Sequence, residues 1–245
     1  MRGFLLAFWI MFASPVAAEE ELRLDAPEAA SAEAALPGLV RLHCRGDAPG
    51  QLFSSRAVLL RTEARSGRGD IFLASRHAVV KRGEVQTCWV AGEPVYRGEI
   101  VRIVVSSREN PDNELFIHDW ALLESARRIS RHDEGLRAAV LRGREALSSV
   151  SLLNPLRTDD ACNLVDEPLI AHHPALIGYD CPTRPGQSGT PILVEYEGTP
   201  HVIGLHVGRV SELGVDRDWV SVARLIDADV QAALTRMLDD EGAGD

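Results

Sequence analysis

The residue best placed to do chemistry in this chain is a serine between two glycines, in Pro185-Gly186-Gln187-Ser188-Gly189-Thr190-Pro191. Glycine adopts backbone angles that other residues resist and lets the chain come close to a substrate, so the run reads as a tight, exposed turn. A serine hydroxyl is a weak nucleophile until a base takes its proton. Two upstream segments offer the missing groups. Ile71-Phe72-Leu73-Ala74-Ser75-Arg76-His77-Ala78-Val79-Val80 is an apolar strand pattern running into His77. Phe116-Ile117-His118-Asp119-Trp120-Ala121-Leu122-Leu123 holds one acid inside an apolar, strand-like run, where an ionised carboxylate is costly to bury without a partner. An imidazole is such a partner, because a buried carboxylate fixes its tautomer and stabilises its cation. The set supplies a nucleophile (Ser188), a general base (His77) and an orienting acid (Asp119). The amides of Gly186 and Ser188 would stabilise an oxyanion.

The order histidine, aspartate, serine is that of chymotrypsin and not that of subtilisins or α/β-hydrolases. Ala74-Ser75-Arg76-His77, Asp119-Trp120-Ala121-Leu122-Leu123, Gly186-Gln187-Ser188-Gly189-Thr190-Pro191 and Val202-Ile203-Gly204-Leu205-His206-Val207-Gly208 follow one another along the chain. On these four motifs the chain resembles the secreted trypsin-like serine peptidases of the chymotrypsin fold, most closely their compact bacterial branch that includes the glutamyl endopeptidases. The resemblance covers residues 39–238. It implies an all-β chain of two six-stranded antiparallel β-barrels with a C-terminal α-helix and a cleft between the barrels. The implied activity is hydrolysis of peptide bonds through an acyl-enzyme on Ser188, with a polypeptide substrate, no cofactor, no metal and a monomeric chain. The competing reading is a non-catalytic relative that binds peptides or a partner, which loss of any one of His77, Asp119 or Ser188 would have favoured. Lipases and esterases use Gly-x-Ser-x-Gly with the histidine last, and here Thr190 stands at the final glycine position.

Specificity is read from the same resemblance. Trypsins carry an acid six positions before the serine, and that position here is Pro182. Thr183 and His206 resemble the groups with which glutamyl endopeptidases bind a carboxylate, which implies a preference for Glu at the cleaved position. The backbone of Val207, Gly208 and Arg209 is expected to pair with an extended substrate. Arg209 stands where the closer relatives have a second glycine, and it would assist an acidic residue or narrow the cleft. His118 would face away from Asp119 in a strand. His172 and His173 read as loop residues, and His132 falls in a charged connector. The cysteines and histidines show no zinc-ligand spacing.

The elements that must position these groups follow from pattern. Val40–Cys44, Ala57–Leu60, Asp70–Ala74, Val85–Val90 and Ile100–Val105 are strand candidates for a first barrel over 39–124. Residues 125–145 read as the connection. Ala146–Leu153, Ala161–Val165, Ala175–Tyr179, Pro191–Glu195, Pro200–Val207 and Trp219–Val222 are strand candidates for a second barrel over 146–245. From Ala223 to Leu238 the period changes, and Leu225, Ile226, Val230, Ala233, Leu234 and Leu238 fit one helical face. With only a few residues after that helix, no peptide-binding appendage is expected.

Residues 1–18 read as a signal peptide, with Arg2 at the start, an apolar run to Phe12 and Val16-Ala17-Ala18 as the cleavage site. The run is too short to span a bilayer, so no stable membrane insertion is expected after cleavage. Residues 19–38 read as a linker or short pro-segment. The expected location is the periplasm or the exterior, where four cysteines form two disulfides. Three pairings are open. The histidine-tethering disulfide of the family is absent because Ala78 follows His77, so Cys44 with Cys88 and Cys162 with Cys181 is preferred. The net charge of −10 argues against a nucleic-acid surface.

Overall fold

The computed structural model describes residues 23–24, 28–29, 38–46, 50–62, 68–92, 96–106, 116–130, 135–152, 161–210 and 219–239. The signal-peptide reading, His132 and most of the 19–38 linker lie outside them. In chain order the strands are β1 (Arg23–Leu24), β2 (Glu28–Ala29), β3 (Leu39–Arg45), β4 (Leu52–Leu59) and β5 (Ile71–Ala74). After α1 (Arg76–Val79) come β6 (Val80–Lys81), β7 (Glu84–Val85), β8 (Cys88–Gly92), β9 (Tyr96–Val105), β10 (Ala121–Ser125), β11 (Arg137–Ala138), β12 (Val140–Leu141) and β13 (Ser149–Leu152). The chain continues through β14 (Ala161–Val165), α2 (Pro168–Ala171), β15 (Leu176–Tyr179), β16 (Pro191–Tyr196), β17 (Thr199–Val210), β18 (Val220–Leu225) and α3 (Ala228–Asp239).

β10-β5-β4-β3-β8-β9 close into a six-stranded antiparallel barrel. β17-β18-β15-β14-β13-β16 form a second, closed by the β16–β17 pairing. The all-β, two-barrel expectation and the C-terminal helix are both met. Inside the first barrel sit Leu42, Phe72, Ala74, Val90 and Leu123. Val150, Tyr179, Ile192, Ile203 and Ala223 fill the second. A third cluster joins them: Val58, Ile71, Leu73 and Leu122 pack with Leu193, Leu205, Val207 and Val222 and with α3. Successive strand residues face opposite ways. β5 therefore needs apolar residues throughout, because Phe72 and Ala74 face the barrel interior while Ile71 and Leu73 face the other barrel. Truncating one such side chain to alanine costs about 2–5 kcal/mol.

Cys44 lies opposite Cys88 in the β3–β8 register and the two form a disulfide; Cys162 and Cys181 form the second. Both preferred pairings are present. The element bounds differ from expectation in several places: β4 begins at Leu52 rather than Ala57, and the strand expected over Val85–Val90 is split into β7 and β8. Ala223–Leu225 belong to β18, and the helix starts only at Ala228, where Asp227 Oδ1 accepts the Val230 amide as an N-cap. Ile226 enters the same cluster as the helix's apolar face, and Leu225 packs inside the second barrel, so both are as apolar as the helix. The strand expected from Ala146 starts only at Ser149, because residues 144–146 form a 3₁₀ turn at the end of the connection. The short helix α2 had no periodic signature, but Glu167 accepts the Leu169 amide and Pro168 occupies its first turn. Within the linker, β1 pairs in parallel with β12, and β2 pairs with β16 at the edge of the second barrel. Among the described residues no helix is long and apolar enough to cross a membrane.

Candidate active site

His77 sits in α1, the short helix that begins as β5 leaves the barrel after Ala74. Its ring is partly exposed while Ala78 and Val79 anchor the helix in the core. Lys81 Nζ donates to the His77 carbonyl at 2.8 Å.

Asp119 does not lie in a strand. It follows a turn at 116–118 and precedes β10, so the alternation argument for His118 fails. His118 is buried with its Nδ1 3.1 Å from Ser106 Oγ. Asp119 is buried and holds His77 twice. Oδ1 accepts the His77 backbone amide at 2.8 Å and Oδ2 accepts from Nδ1 at 2.6 Å. The bond to Nδ1 leaves Nε2 as the ring's free acceptor. The turn is clamped from the second barrel by Arg224, which is 2% exposed. Its guanidinium donates to the Ile117 and Leu225 carbonyls and to Asp227 Oδ2. Sequence reasoning missed Arg224, although an arginine in the apolar run 220–226 carries the same signal as Asp119: a buried charge needs partners.

The turn at 184–190 brings Ser188 between the barrels. The Arg56 amide of β4 donates to the Ser188 carbonyl at 2.9 Å, and the Gly189 amide donates to the His206 carbonyl of β17 at 2.8 Å. Ala57, next to Arg56, pairs with Ala74, three residues before His77. Ser188 is thus tied to the strand pair that ends at the imidazole. Among the described residues no hydrogen bond joins Ser188 to His77, as in many substrate-free sites where that contact tightens on binding. Gly189 has φ +84°, and a Cβ there would fall 2.0 Å from the Arg56 carbonyl, so no side chain fits. Gly186 has φ +88°. Within the turn the Gln187 side chain, almost fully buried, accepts the Arg184 amide through Oε1. The Gln187 carbonyl accepts both the amide (2.9 Å) and the hydroxyl (2.6 Å) of Thr190. The Gly186 and Ser188 amides have no acceptor among the described residues.

His206 is buried behind the serine turn with Nδ1 2.7 Å from the Tyr179 hydroxyl. Its pKa is lowered to about 4, first by burial, then by the charges of His77 and Arg209, with the Val222 carbonyl acting the other way. It is neutral at neutral pH. Thr183 is also buried, its hydroxyl 3.0 Å from Ser221 Oγ, which donates to the Cys181 carbonyl at 2.8 Å. With the Ser221 proton committed there, Thr183 is the donor of that pair. Arg209 is exposed; its Nη1 donates to the Thr183 carbonyl at 3.2 Å and its guanidinium lies 5.3 Å from the Trp219 ring centre. Tyr179 and Ser221 were not singled out from the sequence, since a strand tyrosine and serine look like ordinary packing. The Val207 side chain enters the inter-barrel core, and Gly208 backs onto Phe116, whose ring a Cβ would meet at 2.5 Å. From Val207 to Val210, β17 pairs with β18 alone among the described residues, leaving its other edge open. The His172 and His173 rings lie 3.8 Å apart in a tilted pair at the end of α2, outside this arrangement. No group of three or more metal-ligating side chains occurs among the described residues.

No protein-family model and no curated protein matches the sequence. Among solved structures, the chain is similar to a thermostable serine protease, AL20, from an extremophilic microorganism. The TM-score is 0.61 at 13% identity, over 84% of this chain and 98% of that one. A likeness at that identity concerns the backbone alone, and with the two closed barrels it shows that this chain has the chymotrypsin-like fold.

Proposed function

We propose that the chain is a serine endopeptidase. Ser188 attacks the peptide carbonyl, and His77 Nε2 takes its proton and then passes it to the leaving amine. Asp119 holds the ring and stabilises its cation. The Gly186 and Ser188 amides receive the oxyanion, a contribution of about 2.7–4 kcal/mol per donor in comparable sites. The observation that carries this reading is the double bond from Asp119 to His77, at 2.8 and 2.6 Å, beside a serine turn with two free amides. The open edge of β17 supports binding of extended substrate as an added strand. The two disulfides support an exported protein.

The reading extends to a preference for Glu at the cleaved position. Neutral His206 brings no charge, and its ring is engaged by the Tyr179 hydroxyl and the Val222 carbonyl. The positive charge comes from Arg209, held beside Thr183 by its carbonyl bond and by Trp219. Peptides differing only at the cleaved residue, Glu, Gln, Leu and Lys, test it. Fastest turnover after Glu, abolished in Ser188→Ala, is expected; faster cleavage after Lys or Leu removes the acidic preference, and undiminished turnover by Ser188→Ala removes the nucleophile.

A further inference from the structure

The outer face of the first barrel carries charge of the opposite sign to the chain as a whole. β3 and β4 place Arg41 opposite Arg56, His43 opposite Ser54 and Arg45 opposite Leu52. Val40, Leu42 and Cys44 are buried in the barrel, so the pleat turns Arg41, His43 and Arg45 outward. Trp89 of β8 lies opposite His43 with ring centres 5.6 Å apart, and Arg97 of β9 lies 6.0 Å from the Trp89 ring centre. Like charges directly opposite one another destabilise a sheet. Burial and, after it, the charge of Arg41 push the pKa of Arg56 down. Among the described residues the Arg41, Arg45 and Arg56 side chains have no ion pair. The chain has a net charge of −10, yet among the described residues no carboxylate pairs with these three arginines; Glu99 stands on the same face, opposite Trp89.

The position of the face gives it a use. The serine turn is held on one side by the Arg56 amide of β4 and on the other by the His206 carbonyl of β17. If residues up to the cleaved bond lie along the open edge of β17, those after it leave across β4. A Cβ on Gly186 would come within 3.9 Å of the Ser54 carbonyl, so β4 runs directly beside the turn. From the Arg41–Arg56 pair to Arg45 is four residues along β3, about 13 Å in extended chain and the reach of about four substrate residues.

We propose that this arginine face binds carboxylate side chains in the about four residues after the cleaved bond, so that the substrates are acidic polypeptide segments. The inference rests on the peptidase reading, because that reading sets which side of Ser188 the leaving chain takes.

The test uses peptides identical up to the cleaved bond, followed by four acidic, four neutral-amide or four basic residues, with kcat/KM measured at low and high ionic strength. The acidic set should be faster than the neutral set by about tenfold or more at low ionic strength, the scale of electrostatic steering. Salt should shrink that advantage, and the Arg41→Gln, Arg45→Gln double variant should bring the ratio close to one. Exposed substitutions of this type change stability little. Equal rates, or an advantage that survives in the double variant, would overturn the proposal. Two parallel measurements separate it from the peptidase reading: fluorophosphonate labelling of the unmutated protein, and binding of an acidic peptide to Ser188→Ala. Labelling without any acidic advantage overturns the face and keeps the peptidase. Acidic-peptide binding that depends on Arg41 and Arg45, without labelling, keeps the face and overturns the peptidase. A sulfated polysaccharide that binds the face when acidic peptides do not would also overturn it.

Discussion

Asp119 grips His77 at both backbone and ring: one carboxylate oxygen takes the amide at 2.8 Å and the other takes Nδ1 at 2.6 Å. A ring held only through its side chain could swing about the Cα–Cβ bond; this one is fixed with respect to its own peptide plane. The carboxylate is in turn fixed from the second barrel, because Arg224 donates to the carbonyl of Ile117 two residues before it. The imidazole is therefore aligned by contacts from both barrels.

Asp119→Asn tests that alignment. The amide can accept one of the two bonds, but facing Nδ1 with an N–H would force the proton onto Nε2, where it blocks acceptance from Ser188. kcat should fall by about 10⁴-fold with little change in KM, as in comparable triads. Steady-state kinetics check this, with unchanged thermal unfolding as the control for folding.

Gln187 is expected to set the oxyanion turn through its bond to the Arg184 amide. Gln187→Ala should lower kcat by about tenfold to a hundredfold, less than outright loss of an oxyanion donor, with KM nearly constant. Gln187→Glu retains the acceptor and should recover most of the rate. A purely structural role would instead appear as a shared loss of stability in both variants.

His206 makes stability depend on pH. Its pKa is lowered in the fold to about 4 from an ordinary value of 6.5, so below 6.5 the unfolded chain binds a proton that the folded chain refuses. Stability should be flat above that value, decline as pH falls from 6.5 towards 4, and level off below, a loss of about 3 kcal/mol from this residue. His43 and His201 are also lowered by burial and act in the same direction. Urea midpoints against pH for the unmutated protein and for His206→Gln, which can still accept from Tyr179, isolate the contribution: the variant should lose less over the same window.

Arg209→Gln should narrow the discrimination between Glu and Gln at the cleaved position by about fivefold, the worth of an exposed charge pair. The paired kcat/KM values for the two peptides measure it, and turnover of the Gln peptide should change far less than that of the Glu peptide.

Much of the frame was legible because the physics acts locally. The apolar runs of β5 and β10 read as strands since both of their faces meet a core, and β3 alternates because its outer face meets water. Cysteine positions led to the right pairs once the first barrel was recognised as a unit. The helix start was misplaced because Leu225 and Ile226 are as apolar as the helix, and only the Asp227 cap marks the change. At the site, residue types pointed to His77, Asp119 and Ser188, and the Asp119 carboxylate joins the first two, but the contacts that hold the serine turn between the barrels are backbone bonds. Arg56 to Ser188 and Gly189 to His206 use amides and carbonyls that every residue carries, so no letter of the sequence announces them. The Thr183–Ser221 bond was hidden for a similar reason, since strand register decides which hydroxyls meet.

The central claim is that Ser188 is a nucleophile activated by His77. Fluorophosphonate treatment of the purified protein, followed by peptide mass spectrometry, tests it most directly. The account predicts one adduct on Ser188, lost in Ser188→Ala and strongly slowed in His77→Ala. An adduct that persists in Ser188→Ala, or an unmutated protein that takes up no probe, would contradict it.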